Sequence, residues 1–358
     1  MIGFLPELYE DELFYSWVAR YYCHSGYSAY SHAVEDFFLS KKIRSDIRFL
    51  NTLNEEARAV IAKRVPMERI VLEHTMFPVS RFTDRQRLNT ALTKMTAQEG
   101  DVNTLLPIPK REAFRNLRFC PACAKEDREL YGETYWHRCA FIPHLDICPR
   151  HRCRLIEHNT VAGGTRTPRL FIAEVEIGSN EPVYVDSDRE IDFAQYLTDV
   201  FLAPIDFENH VSISTFLKSK LEGTKYLSAR GKKRFIDKLA RDINDFYSSF
   251  PQYVPITQSH IEKCFTGYRS DYNTICQLAF FLNIPVEELT NPAVQESTQE
   301  ERFNQKVADL YEAGMGAYRI SRIGGVPYDS PESKQSASGE EAQLCSQERN
   351  AQGRLGSD

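Results

Sequence analysis

The chain has 358 residues, of which 42% are apolar and 26% charged, enough for two or three packed domains of roughly 100–200 residues each. Its formal net charge of −6 argues against a uniformly basic nucleic-acid coat protein. The sequence lacks both the roughly 18 uninterrupted apolar residues of a membrane span and a secretory signal, so we expect a cytoplasmic protein.

Residues 1–116 predict an N-terminal helical domain. Asp11 precedes apolar residues at positions 13, 14, 17, 18 and 21, and this spacing places them on one face of a helix. Pro66 and Pro78 separate the helices that follow. We expect Arg20, beside the apolar face, to be solvated; the alternative is a surface residue that contacts a ligand.

The nine cysteines are an odd number, and a reducing compartment disfavours disulfides. Four of them are scattered along the chain and are expected to act as small buried apolar residues: Cys23, Cys264, Cys276 and Cys345. The other five are clustered and are candidate metal ligands: Cys120, Cys123, Cys139, Cys148 and Cys153.

Two short motifs predict a zinc-binding module over residues 117–158. They are Cys120-Pro-Ala-Cys123 and Cys148-Pro-Arg-His151, and each lets a tight turn aim two side chains at one ion. Three thiolates and one imidazole form a filled, structural zinc set, and sulfur ligands favour zinc over magnesium or calcium. The alternative is a set of core residues that have this spacing by chance.

Three further donors lie close to these motifs: Cys139, His144 and Cys153. Cys153 follows His151 by two residues, so the two could exchange as the fourth ligand. A catalytic zinc needs an open position and a general base. Glu126, Asp127 and Glu133 lie between the motifs but do not form the His-x-Glu pattern of zinc deaminases. We therefore predict a structural zinc ion and a protein that is not an enzyme.

The remainder of the chain divides into four segments. Residues 159–210 predict a linker with small strands, and residues 211–292 a basic, helical helix-turn-helix domain. Residues 293–329 resemble a second helix-turn-helix that lacks room for its recognition helix, and residues 330–358 predict a disordered tail. The expected fold is mainly α with a small zinc ribbon or knuckle, an N-terminal helical domain and a C-terminal helix-turn-helix region.

A basic segment and a candidate recognition helix predict contact with double-stranded DNA. The basic segment, residues 218–241, has nine basic residues and two acidic ones. Thr257, Gln258 and Ser259 would begin the recognition helix, where Gln can pair with adenine. The alternatives are a solvated helix face and a plain helical hairpin. The predicted DNA contacts are Lys232, Lys233, Arg234, Thr257, Gln258, Ser259, Lys263, Tyr268 and Arg269.

Three stretches resemble the TniQ/TnsD family of transposon target selectors. They are Pro6–Arg20, Glu73–Pro78 (Glu-His-Thr-Met-Phe-Pro) and Leu117–His151 with both cysteine motifs. The resemblance carries the family's zinc ligands over to Cys120, Cys123, Cys148 and His151. Where many relatives have a histidine, this chain has Cys139.

The resemblance also implies a function. Such proteins bind a specific chromosomal attachment site, or alternatively dock on an RNA-guided CRISPR effector complex. They then recruit the transposon's AAA+ ATPase, which brings the transposase, and they cut no DNA themselves. We therefore expect a cytoplasmic protein associated with the nucleoid, with Glu7, Asp11 and Arg20 as candidate contacts to the ATPase.

Overall fold

Helices form most of the computed structural model of this protein, which describes residues 2–39, 52–99, 102, 105–106, 116–161, 170–228, 231, 233–267 and 271–293. The predicted mainly helical class is confirmed. Residues 1–227 and 234–293 form one compact unit. A second unit contains residues 228–233 and 294–358, of which the structure describes residues 228, 231 and 233. The predicted second helix-turn-helix, beyond its first residue, and the predicted tail lie outside the described residues.

Five helices precede the cysteine motifs. They are α1 (Phe14–His24), α2 (Tyr30–Phe37), α3 (Glu55–Ala62), α4 (Met67–His74) and α5 (Arg85–Ala97). The side chain of Asn54 accepts from the backbone N–H of Ala57 and caps α3. Asp84 caps α5 in the same way through the N–H of Arg87. Local sequence therefore fixes where these two helices begin.

Helix α1 is buried on more sides than its sequence predicts. The apolar spacing indicates one buried face, yet every residue from Phe14 to Tyr21 is buried. The Ser16 hydroxyl accepts from the backbone N–H of Trp136 at 3.0 Å, and the Tyr15 hydroxyl accepts from the N–H of Phe171 at 2.9 Å. The side of α1 that was expected to be polar therefore packs against the region of the cysteine motifs.

The backbone of residues 5–12, here called the N-terminal strap, is tied to the core through its carbonyl groups. A carbonyl that accepts a hydrogen bond from a side chain is held at a fixed position without belonging to a helix or sheet. The donors are Arg64 to Leu5 at 2.7 Å, Trp17 to Pro6 at 2.9 Å, Arg20 to Glu7 at 2.9 Å, Tyr135 to Glu10 at 3.0 Å and His74 to Glu12 at 2.8 Å. The strap therefore depends on side chains from several distant elements.

The cysteine motifs lie among short strands and one helix. The elements are β1 (Asn116–Phe119), α6 (Pro121–Tyr131), β2 (Ile147–Cys148), β3 (Cys153–Arg154) and β4 (Ile156–Val161). Strand β1 pairs antiparallel with β4, and β2 pairs antiparallel with β3. The four strands thus form two small two-stranded sheets, β1 with β4 and β2 with β3.

The remaining elements of the described chain are seven helices. They are α7 (Ala173–Glu176), α8 (Asp188–Leu202), α9 (Ile213–Ser219), α10 (Ile236–Tyr247), α11 (Gln258–Thr266), α12 (Tyr272–Phe281) and α13 (Val286–Thr290). Helices α12 and α13 pack directly on α8. The Tyr272 hydroxyl donates to the Leu197 carbonyl in α8 at 2.6 Å, and the Tyr196 hydroxyl donates to the Ile284 carbonyl at 2.9 Å. In the described part of the chain, every helix is too short or too polar to cross a bilayer.

Arg81 joins the N-terminal helices to the end of α8. Its side chain is 1% exposed and donates to the carbonyls of Val200, Ala203 (3.0 Å) and Pro204 (2.9 Å). Such carbonyls at a helix C-terminus lack helical partners and carry the negative end of the helix dipole. Burial lowers the pKa of Arg81 to about 10, so it remains a cation at neutral pH.

We expect Arg81→Ala to lower the free energy of unfolding by about 3 kcal/mol, because several buried carbonyls lose a charged donor at once. The free energy of unfolding of Arg81→Lys should lie between those of wild type and Arg81→Ala, since an ammonium group reaches fewer of these carbonyls. Urea denaturation measures both. Arg69→Ala is the control, because Arg69 is 61% exposed and pairs with an exposed glutamate. Equal stability of the Arg81→Ala and Arg69→Ala variants would contradict this role.

Candidate metal centre

The first cysteine motif forms the start of α6. Strand β1 ends at Phe119, and Cys120 is the N-cap residue of α6, whose sulfur accepts from the backbone N–H of Cys123 at 3.4 Å. Pro121 occupies the first turn, where its missing N–H has no helical partner to lose. The turn therefore points both sulfur atoms to the same side.

The second motif forms the turn between β2 and β3. Cys148 ends β2, and its carbonyl accepts from the backbone N–H of Arg152 at 2.7 Å. Arg152 has a φ of 52°, in the left-handed region, which lets the chain reverse within a few residues. His151 lies inside this turn and so faces the same space as Cys148.

The four predicted ligands converge on one point. The donor atoms of Cys120, Cys123, Cys148 and His151 all lie within 4.8 Å of one another. The three sulfur atoms lie 3.6, 3.2 and 3.7 Å from the His151 Nδ1, and the sulfurs of Cys123 and Cys148 are 3.8 Å apart. A tetrahedral ion with zinc–sulfur bonds of about 2.3 Å requires sulfur–sulfur separations of about 3.8 Å. The residues present therefore fit a tetrahedral metal ion.

The thiols of the cluster share protons, and the histidine is oriented by a carboxylate. Hydrogen bonds from Cys123 and Cys148 lower the pKa of Cys120, and the hydrogen bond with Cys120 raises the pKa of Cys123. The Nε2 of His151 lies 2.8 Å from the Glu126 carboxylate, and Glu126 also pairs with Arg150 at 2.6 Å. A carboxylate at Nε2 holds the proton there and leaves Nδ1 free to bind the ion.

Glu126 supports His151 but was not predicted to do so from the sequence. It follows Cys123 by three residues on α6, so helical spacing puts the two side chains on the same side. That spacing is the signal that could have identified it.

The three spare donors lie outside this group in the described residues. The Cys139 thiol donates to the Asp11 carboxylate at 3.3 Å, and burial raises its pKa well above the usual range. His144 is exposed. Cys153 is buried with its sulfur 3.4 Å from that of Cys120.

Two of the three residues predicted as partner contacts face inward. Arg20 is 2% exposed, so the expectation that it is solvated is wrong: its guanidinium pairs with Glu12 and Glu133, each at 2.8 Å. Asp11 accepts from Arg138 at 3.1 Å and from the backbone N–H of Cys139 at 2.9 Å. The helical spacing of α1 could not predict these two acidic partners of Arg20, because both lie outside that helix. Of the three, Glu7 has an exposed side chain.

The predicted recognition helix begins on the surface. Thr257 is the N-cap residue of α11, and Thr257, Gln258 and Ser259 are exposed. Lys263 is half-buried near the end of this helix. Helix α12 follows it and is buried from Tyr272 to Ala279, as the predicted packing helix would be.

The predicted cationic contacts have different surroundings. Lys233 is exposed, and the half-buried Arg234 lies 5.5 Å from the ring centre of Phe265 in α11. Lys232, Tyr268 and Arg269 lie outside the described residues.

The positive charge of the basic segment is partly neutralised. Lys220 pairs with Glu288, and Lys225 pairs with Asp242 at 2.6 Å. Both acids, Asp242 and Glu288, lie outside the basic segment of residues 218–241. The field of this segment is therefore weaker than its composition suggests.

Comparison with known proteins places the similarity in the N-terminal part. Residues 4–155 match the TniQ family model. The transposon Tn7 transposition protein TnsD of Escherichia coli is 27% identical over 151 residues, which are 41% of this chain and 30% of that relative. The match includes both cysteine motifs and confirms the resemblance to the TniQ/TnsD family over this region.

We expect Cys120→Ser to abolish stoichiometric metal binding and to lower the unfolding temperature, because the energy of metal binding is also folding energy. Elemental analysis by mass spectrometry and thermal unfolding measure the two effects. Cys264→Ser is the matched control, since Cys264 is also buried but donates to the His260 carbonyl at 3.5 Å. A metal-free Cys120→Ser protein as stable as wild type would exclude a structural metal.

Proposed function

We propose that this protein selects target sites for transposition: it binds a specific double-stranded DNA attachment site and recruits an AAA+ ATPase and the transposase. The similarity of residues 4–155 to the TniQ family and to a Tn7 transposition protein carries this proposal. The similarity covers 30% of that relative, so DNA binding and recruitment are inferred for this chain. On this proposal the protein is associated with the nucleoid.

We further propose that the metal ion is a structural zinc and that the protein is not an enzyme. Three sulfurs and one imidazole nitrogen would complete a tetrahedron and leave no position for a substrate or a reactive water. The ion would then hold α6 and the β2–β3 turn together. Helix α1 packs on this region through Trp136, so the zinc would also support the N-terminal helices.

DNA contact is assigned to the exposed start of α11. The first turn of a recognition helix is where side chains meet base edges, and Gln258 suits adenine. Lys238 and Arg241 are exposed on α10, which packs against α11, and they suit phosphates. This surface supports the proposed helix-turn-helix of α11 and α12.

A second candidate function is an adaptor that docks on an RNA-guided effector complex and links it to the ATPase. The ion pairs of Lys220 and Lys225 favour it, because they reduce the charge available for phosphate binding. In an adaptor, a partner would hold the DNA.

Genome-wide recovery of DNA bound to the tagged protein distinguishes the two functions. A sharp peak with the protein alone indicates a selector that reads sequence itself. Recruitment to DNA that appears only when RNA-guided components are also present indicates the adaptor. Absence of bound DNA under both conditions would contradict both functions.

On the selector proposal, Gln258→Ala should weaken binding to the attachment site by about 5- to 150-fold, because one base contact is lost. Binding to unrelated duplex DNA should change little. Arg241→Ala should weaken both and reduce the slope of log affinity against log salt by about one. Fluorescence anisotropy at several salt concentrations measures these effects. Equal losses on both DNAs for Gln258→Ala would contradict base reading.

The ATPase contact is assigned to the exposed side of the N-terminal strap. Glu7 and Glu10 are exposed while the strap backbone is fixed from within. Glu7→Lys should weaken capture of the ATPase at least severalfold and leave metal content and DNA affinity unchanged. Glu99→Lys, an exposed acid after α5, is the control. Unchanged capture by the Glu7→Lys protein would exclude this surface.

A further inference from the structure

A fifth cysteine touches the metal centre without being one of its four ligands. Cys153 is fully buried, and its sulfur lies 3.4 Å from that of Cys120. It is absent from the group of donors that share a 4.8 Å neighbourhood. We propose that Cys153 is a positioning residue of the metal centre, whose S–H group donates a hydrogen bond to the metal-bound sulfur of Cys120.

The direction of this hydrogen bond follows from the metal. A cysteine that binds zinc has lost its proton, so Cys120 can accept a hydrogen bond but not donate one. The S–H of Cys153 is then the donor in the 3.4 Å contact between the two sulfurs. Cys120 also accepts from the N–H of Cys123 at 3.4 Å. Its sulfur therefore has two supporting donors.

The fold keeps this donor in place. Cys148 and Cys153 are direct partners in the β2–β3 pairing, so the hairpin that supplies a ligand also sets the position of Cys153. Backbone hydrogen bonds from Arg154 to Val183 (2.8 Å) and from Val185 to Arg152 (2.9 Å) hold the other edge of β3. The 3.4 Å contact is thus a consequence of strand register.

The chemistry of the ligand set explains why a donor is useful there. Three thiolates around a divalent ion leave one uncompensated negative charge in a buried site. Hydrogen bonds to the sulfurs spread this charge and make the thiolates weaker nucleophiles, which slows their loss to alkylation or oxidation. This inference rests on the proposed zinc centre and is independent of target selection.

The test uses the full chain with cobalt(II) in place of zinc. Cys153→Ala and Cys153→Val both remove the S–H donor, and valine fills the space if alanine leaves a destabilising cavity. Cys153→Ser supplies an O–H donor instead. Cys264→Ala is the control, since it removes another fully buried thiol. The readouts are metal content, the energy of the sulfur-to-cobalt charge-transfer band and the rate of metal release on alkylation with iodoacetamide.

We expect each variant to keep one metal ion per chain. Cys153→Ala and Cys153→Val should release it about 10-fold faster and shift the charge-transfer band to lower energy, because the Cys120 sulfur has lost a donor. Cys153→Ser should bring the release rate and the band energy most of the way back to their wild-type values. Cys264→Ala should match wild type in both.

Three results would overturn the proposal. Wild-type release rates and band positions in Cys153→Ala and Cys153→Val would show that the donor has no effect. If Cys153→Ala and Cys153→Val lost the metal, or lost the band intensity that one thiolate contributes, Cys153 would be shown to be a direct ligand. A wild-type protein that binds neither zinc nor cobalt would remove the metal centre itself, and metal content alone identifies that case.

Discussion

Arg20 connects three parts of the structure that are far apart in sequence. From α1 it donates to Glu12 in the strap and to Glu133 after α6, each at 2.8 Å, and to the Glu7 carbonyl at 2.9 Å. Burial raises the pKa of Glu12 to about 7 and the charge of Arg20 opposes this rise, so the carboxyl group is only partly ionised at neutral pH. Without Arg20 the buried Glu12 would lose its charged partner, a larger penalty than the loss of a surface ion pair.

The same contacts couple the helices to the metal centre. Helix α6 holds Cys120 and Cys123 in its first turn and is followed by Glu133, so the metal would fix one end and Arg20 the other. Arg138 continues the connection: it pairs with Asp11 and lies 4.7 Å from the ring centre of Phe201 in α8. The N-terminal helices, the metal module and α8 are therefore linked by shared buried cations.

The sequence predicted the features that are encoded within a few residues. The two cysteine motifs, the mainly helical class and the exposed start of α11 follow from turn, cap and ligand chemistry that acts over one or two turns. The burial of α1 on its polar side could not be predicted, because it depends on Trp136 and Phe171, more than a hundred residues away. The ion pair of Lys220 in the basic segment could not be predicted for the same reason, because Glu288 is 68 residues from that lysine.

The distribution of polar groups near α11 bears on how DNA would be read. Asn273, Thr274 and Gln277 are buried in α12, so these side chains serve the core, and base contact falls to the neutral residues Gln258 and Ser259. Lys220 and Lys225 of the basic segment are held in ion pairs, and phosphate contacts supply most of the affinity of DNA-binding proteins. On the selector proposal, such a surface would discriminate between sequences better than it holds DNA. Stable occupancy of a site would then require a second contact, and a recruited ATPase or an RNA-guided partner would each supply one. The two proposed functions therefore share one physical basis and differ in which partner provides the missing affinity.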